Sequence, residues 1–227
     1  MSFKKFVKEL NNNEVEGELI KVILTSLVVS LVTLGIIYIF KFRAISDFNS
    51  KYLLYLFLAC ASYAFIIPSI YYVRSFKEFP CMSGMMIGMT IGMISGFLPG
   101  MFVGATNGMF YGSVFGMLIG IVFGVWMGKC CGIMGMMEGM MAGFMGGLMG
   151  AMTAVMMIND NIKIAAVILT VVSIAILLGL NYMIYKETRG AERKHKDDFL
   201  FVPIVTFILT ILTIIVMIFG PRSALFQ

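Results

Sequence analysis

Long apolar runs, separated by short charged clusters, dominate the pattern along this chain. Residues 19–40, 52–73, 82–98, 104–128, 132–157, 162–185 and 199–219 carry at most one charged residue each. Runs of about 20 apolar residues match a hydrocarbon core roughly 30 Å thick. Lipid offers no water to satisfy backbone N–H and C=O groups, so such a run becomes a helix. Apolar and polar residues do not alternate within the runs, which argues against the strands of a transmembrane barrel. The pattern predicts an all-α integral membrane protein with seven transmembrane helices. Pro68 falls near the end of the second span, where it kinks the helix or marks its last turn. The stretch 82–128 is apolar throughout, and Pro99-Gly100 is the expected break within it. Without that break the chain would have six spans.

The same pattern divides the chain into four segments. Residues 1–18 form a charged leader in which Phe3, Phe6, Val7 and Leu10 share one helical face with Lys4, Lys5 and Lys8 around it. That arrangement suits a short amphipathic helix on an anionic membrane surface. Residues 19–80 hold the first two spans, 81–158 the next three, and 159–227 the last two with a basic loop at 186–198. The first apolar run, 19–40, is longer than a signal-peptide core and has no small-residue cleavage site after it.

Composition strengthens this reading. Of 227 residues 60% are hydrophobic and 13% charged, where a soluble domain carries about 25% charge. Mean hydropathy is +0.96. The net charge of +5 sits at the ends of the apolar runs, which is not the basic face of a nucleic-acid binder. Lys and Arg are enriched on cytoplasmic loops. With seven spans and the N-terminus inside, twelve Lys and Arg fall on the inner side and five on the outer. The expected placement is therefore a multi-pass plasma-membrane protein with its N-terminus cytoplasmic and its C-terminus outside. His195, the one histidine, belongs to the basic loop and reads as a solvated residue.

Residues 81–157 change the picture. They hold 19 of the 24 glycines and 19 of the 22 methionines. Glycine recurs every fourth residue at Gly84, Gly88, Gly92, Gly96, Gly100, Gly104, Gly108, Gly112, Gly116, Gly120, Gly124, Gly128 and Gly132. It resumes at Gly135, Gly139, Gly143 and Gly147. A glycine inside a helix costs about 1 kcal/mol relative to alanine. Close backbone approach between membrane helices compensates for that cost. At about 100° per residue a four-residue step overshoots one turn by about 40°, so the series would wind around a single long helix. Two or three shorter helices can each keep it near one face. The expectation is a bundle of the third, fourth and fifth spans, packed as a Gly zipper.

The methionines carry the candidate chemistry. Leucine is the usual apolar residue of membrane helices; methionine adapts to irregular surfaces, and its thioether is a soft ligand for Cu(I). Met82, Met85 and Met89 lie in the third span, and Met134, Met137, Met141 and Met145 in the fifth. Multiple weak sites are what conduction of an ion requires. Cys81 begins the third span, and Cys130 and Cys131 occupy the turn before the fifth. Under the N-in arrangement all three thiols share the cytoplasmic face. Cys60, in the middle of the second span, reads as packing. Glu138 stands about two turns inside the fifth span, and a carboxylate within the membrane is expensive and points to function. Its expected role is a charge or proton partner for a bound cation.

The MxxxM steps Met85/Met89/Met93 and Met141/Met145/Met149, beside the GxxxG steps, are similar to those of the Ctr-type copper transporters. The stretch also resembles Met/Gly-rich multi-span proteins of Gram-positive bacteria. The resemblance covers 81–157 at most. It implies a thioether filter on a MxxxM helix and oligomer packing through a GxxxG helix. No HExxH, GxSxG or buried histidine is present, so no enzyme is expected. Two functions follow as expectations. One is a protein that binds or transports a soft metal cation, Cu(I), through Met and Cys. The other is a non-catalytic scaffold or accessory subunit that meets a second copy or another membrane subunit through its glycines.

Overall fold

The computed structural model describes residues 15–41, 52–74, 81–187 and 201–221. Of residues 15–20, 38–41, 81 and 130 it describes the backbone alone. The expected amphipathic segment, His195 and most of the basic loop lie outside the described residues. Among the described residues there are seven α-helices and no strand. They are α1 (Val15–Lys41), α2 (Leu53–Arg74), α3 (Cys81–Asn107), α4 (Met109–Gly128), α5 (Gly132–Met156), α6 (Ile162–Glu187) and α7 (Phe201–Phe219), with one 3-10 turn at Lys129–Cys131. Six of them, α2 to α7, are long and apolar enough to cross a membrane. The described apolar part of α1 is Lys21–Ile37.

The stretch 82–128 is two helices, but they divide at Gly108 and not at Pro99-Gly100. Pro99 lies inside α3, which continues two turns further to Asn107. Its fixed φ is compatible with a helix, and the hydrogen bond it removes is tolerated where neighbouring helices cover the backbone. The reversal instead needs a left-handed residue. Gly108, at φ 106° and ψ 169°, adopts an extended positive-φ conformation that is essentially confined to glycine and costs a residue with a side chain about 1–3 kcal/mol. Asn107 is fully buried beside it and donates from Nδ2 to the carbonyl of Val216 on α7, at 2.9 Å. Gly108, expected to pack helices, therefore makes the turn.

α3, α4 and α5 meet through their glycines in successive layers. Gly88, Gly128 and Gly135 form one layer; Gly92, Gly124 and Gly139 the next; then Gly96, Gly120 and Gly143; then Gly100, Gly116 and Gly147. Gly104 closes the series, against Ala151 on one side and Gly112 on the other. The tight reversal at Gly108 sets α3 antiparallel to α4, and the short turn at Lys129–Cys131 sets α4 antiparallel to α5. An unbroken four-residue period on each then falls into register. A Cβ on Gly92 would stand 2.8 Å from the Gly139 oxygen and 3.0 Å from the Gly124 Cα. The unit is thus held by backbone against backbone, and its axis is filled by main chain. Gly84 is buried one turn before this series.

α3 joins this unit to the other helices. Ile87, Ile91, Ile94 and Leu98 point away from the glycine layers and are buried with α2, α6 and α7. α1, α2 and α7 pack on one another, and α6 packs on α2 and α3. Asn181 on α6 donates from Nδ2 to the hydroxyl of Ser69 on α2, at 3.2 Å. At the end of the molecule that carries the Lys129 turn, the Arg74 guanidinium stands 5.2 Å from the centre of the Trp126 ring and 4.7 Å from that of Phe201. Those contacts tie the ends of α2, α4 and α7.

Candidate functional site

With the glycines inside, the large side chains of α3 and α5 must point outward. On α3, Met82, Met86, Met89 and Met93 are exposed, and Met85 is half-buried toward the glycine layers. At about 100° per residue these four exposed methionines fall within an arc of about 60°. On α5, Met134, Met141, Met145, Met149, Met152 and Met156 are exposed and fall within an arc of about 80°. Half-buried Glu138 lies inside that arc, one turn from both Met134 and Met141. Met137 and Met140 are also exposed, about 40° and 100° outside the arc.

The two arcs flank one helix contact. Gly146 and Gly150 of α5 press on the backbone of Met93 and Phe97 of α3, and Met145 and Met149 adjoin them on α5. The methionines therefore form a joint outer face along α3 and α5, and they do not line a passage inside the glycine unit. Sequence reasoning found this stripe on α5, and on α3 the step Met85/Met89/Met93, but gave no weight to Met86. The steps of four, three and four from Met82 to Met93 carry that signal.

Other outer faces of the same chain show that this is not a general use of methionine. α6 presents Ile164, Val167, Ile168, Val171, Val172 and Ile176 outward, and α7 presents Ile204, Phe207, Ile208, Leu212 and Ile215. α4 presents mostly Phe110, Val114, Leu118, Val122 and Trp126. Thioethers concentrate on the face that α3 and α5 share.

Of the three expected thiols only Cys131 has a described side chain. It is half-buried where the turn enters α5. Cys81 and Cys130 are placed by backbone alone: Cys81 opens α3 and Cys130 lies in the turn. The turn packs against α3, so the three positions belong to one end of the glycine unit. Among the described residues no three His, Cys, Asp or Glu side chains gather around a common point. Any soft cation on this face would be held chiefly by thioether sulfur, with Glu138 as the charged neighbour. Cys60 is buried in α2, its thiol 3.7 Å from the Ser30 carbonyl.

The fold and this surface define an all-α, multi-pass membrane protein whose apolar helices sit in a lipid bilayer. No protein-family model, curated protein or solved structure matches the chain.

Proposed function

We propose that this protein binds a soft metal cation, Cu(I), on the thioether face of α3 and α5, and passes it along the membrane. The observation that carries the reading is the contrast between outer faces: thioethers with one carboxylate on α3 and α5, Ile, Val, Leu and Phe on α6 and α7. The six methionines of the α5 arc run from Met134 to Met156, a rise of about 33 Å along the helix, roughly the depth of a hydrocarbon core. Methionines one turn apart present sulfur atoms as a series of soft, neutral, individually weak ligands. Glu138 compensates the charge of a cation at the end nearest the turn, where Cys81, Cys130 and Cys131 receive or deliver it. In this reading that end is cytoplasmic, with the N-terminus inside, the C-terminus outside and the protein in the plasma membrane; the Lys and Arg bias supports the orientation.

The test measures bound copper by mass spectrometry on protein purified under reducing conditions with Cu(I) supplied. Met134, Met141 and Met145 are replaced together by Leu, a near-isosteric change that leaves folding almost untouched; a second protein carries Cys81, Cys130 and Cys131 as Ser. Near-stoichiometric copper in the parent protein and its loss in the Met→Leu protein support the reading. Copper that persists in the Met→Leu protein, or none in the parent, refutes it.

A second reading rests on the position of α5. This helix packs on α3, α4 and the turn, so much of its circumference faces outward, and methionine suits an adaptable contact surface. The protein would then be a non-catalytic scaffold or accessory subunit joined there to a second copy or to another membrane subunit. That reading expects a stoichiometric complex in mild detergent whose stability does not depend on copper.

A further inference from the structure

On the other side of α3 the chemistry is that of oxygen. Ser26, Ser30 and Thr33 on α1 and Thr206, Thr210 and Thr213 on α7 are all at most 5% exposed. Both sets follow the spacing i, i+4, i+7, which places each on a single helical face. Thr33 and Thr210 meet across the contact, with their hydroxyl oxygens 3.4 Å apart. α2 supplies Tyr63, fully buried, and Cys60, whose thiol reaches the Ser30 carbonyl.

The direction of the hydroxyl protons gives this seam a polarity. Ser30 donates to the Leu27 carbonyl and Thr33 to the Ser30 carbonyl. Thr206, Thr210 and Thr213 each donate to a carbonyl of their own helix. Each of these five protons has an acceptor on its own helix; Thr33 and Thr210 also meet each other, where either hydroxyl can donate, and elsewhere these oxygens present lone pairs toward the seam. Two donors face them without an acceptor. The hydroxyls of Ser26 and Tyr63 are buried with no partner at ordinary hydrogen-bond geometry; Thr213 is the side chain that Tyr63 engages, at longer range. A buried hydroxyl without a partner is costly, and native structures keep few of them. Donors and acceptors that face one another but do not meet are the partners an ordered water molecule needs, since it both donates and accepts. A hard cation would satisfy the lone pairs and leave the two protons unanswered.

We propose that the seam between α1, α2 and α7 is a hydrated polar site, in which ordered water accepts from Tyr63 and Ser26 and donates to the hydroxyl oxygens of α1 and α7. Between Ser26 and Thr33 the seam extends for about 10 Å along the helix, roughly a third of the hydrocarbon depth. It gives the protein a water-bearing path segment chemically unlike the thioether face. It is independent of the soft-cation reading, since no methionine takes part.

Cys60 supplies the reporter. With Cys81, Cys130 and Cys131 changed to Ser, the S–H stretching band in the infrared comes from Cys60 alone. The protein in lipid vesicles is transferred to D2O and conversion of S–H to S–D is followed. The comparison carries the same three Ser changes with Cys60→Ala and Ile67→Cys, placing the thiol at a fully buried apolar position of α2. Hydration predicts exchange at Cys60 faster by about tenfold or more, the ratio expected when no local opening is required. Tyr63→Phe gives an independent readout. If water partners the hydroxyl, its removal lowers the melting temperature; if the hydroxyl is a dry orphan, its removal raises it. Exchange at Cys60 as slow as at position 67, or a Tyr63→Phe protein that melts no lower than the parent, overturns the proposal.

Discussion

Gly120→Ala is the smallest change that tests how the glycine unit is held. A Cβ at this position would lie 2.7 Å from the Gly143 oxygen, 2.9 Å from the Gly143 Cα and 2.9 Å from the Gly96 Cα. Carbon–carbon contacts favour about 3.5–4.0 Å, so α3 and α5 must both step back from α4 by roughly 0.6–1.1 Å. Neither can do so by turning a side chain, because every neighbour is backbone. Overpacking of this kind costs about 1–3 kcal/mol, set against a gain of about 1 kcal/mol in helix propensity on replacing glycine. Loss of the contacts on both sides of α4 places the balance on the destabilising side. Gly179→Ala on α6 is the matched control. It has nothing within 4 Å of the added Cβ, so the propensity gain stands alone. Thermal unfolding in detergent should show Gly120→Ala melting several degrees lower, with a 1 kcal/mol change worth about 2–4 °C at this size. Gly179→Ala should melt at or above the parent temperature. A Gly120→Ala protein as stable as the Gly179→Ala protein would show that the layers are looser than backbone contact.

Two further substitutions test the remaining features of the fold. Gly108→Ala, at φ 106°, should destabilise by about 1–3 kcal/mol in thermal unfolding, whereas Pro99→Ala, within a continuous helix, should be neutral or stabilising because it restores a backbone donor; the reverse order would return the break to Pro99-Gly100. Arg74→Ala removes the guanidinium from above Trp126 and Phe201, worth about 0.5–2 kcal/mol. Trp126 is the one tryptophan, so its emission spectrum should shift in that protein, and an unchanged spectrum with unchanged stability counts against the contact.

The helices and the glycine unit were legible in the sequence for different reasons. Runs of about 20 apolar residues leave the backbone one local solution in lipid, so α2 to α7 follow from length and hydropathy alone. The four-residue glycine period foretold close packing of α3, α4 and α5, because glycine at such density has no other compensation for its helical cost. The position of the break did not follow. Proline signals a helix end in water, where an unpaired carbonyl can be solvated and the chain can turn, but a buried helix passes through it; the decisive property was the left-handed backbone at Gly108, one glycine among many of equal appearance. The facing of the methionines was half legible. Their spacing gave a stripe, and the stripe was read as a series of weak sites with no side of the bundle assigned; filling the interior with main chain leaves large side chains no place but the outside. The hydroxyl seam was missed because Ser and Thr in a membrane helix ordinarily bond back to their own turn and so look inert one by one. Only the match between Ser26, Ser30 and Thr33 on one helix and Thr206, Thr210 and Thr213 on another distinguishes them, and that match is a property of the pair. The same division explains how one chain carries two chemistries. Glycine on three helices concentrates thioether sulfur on the outer face that α3 and α5 share, while α1, α2 and α7, with larger residues between them, enclose the oxygen-lined seam. A change that loosens the glycine layers should therefore disturb the copper binding proposed for that face before it disturbs exchange at Cys60.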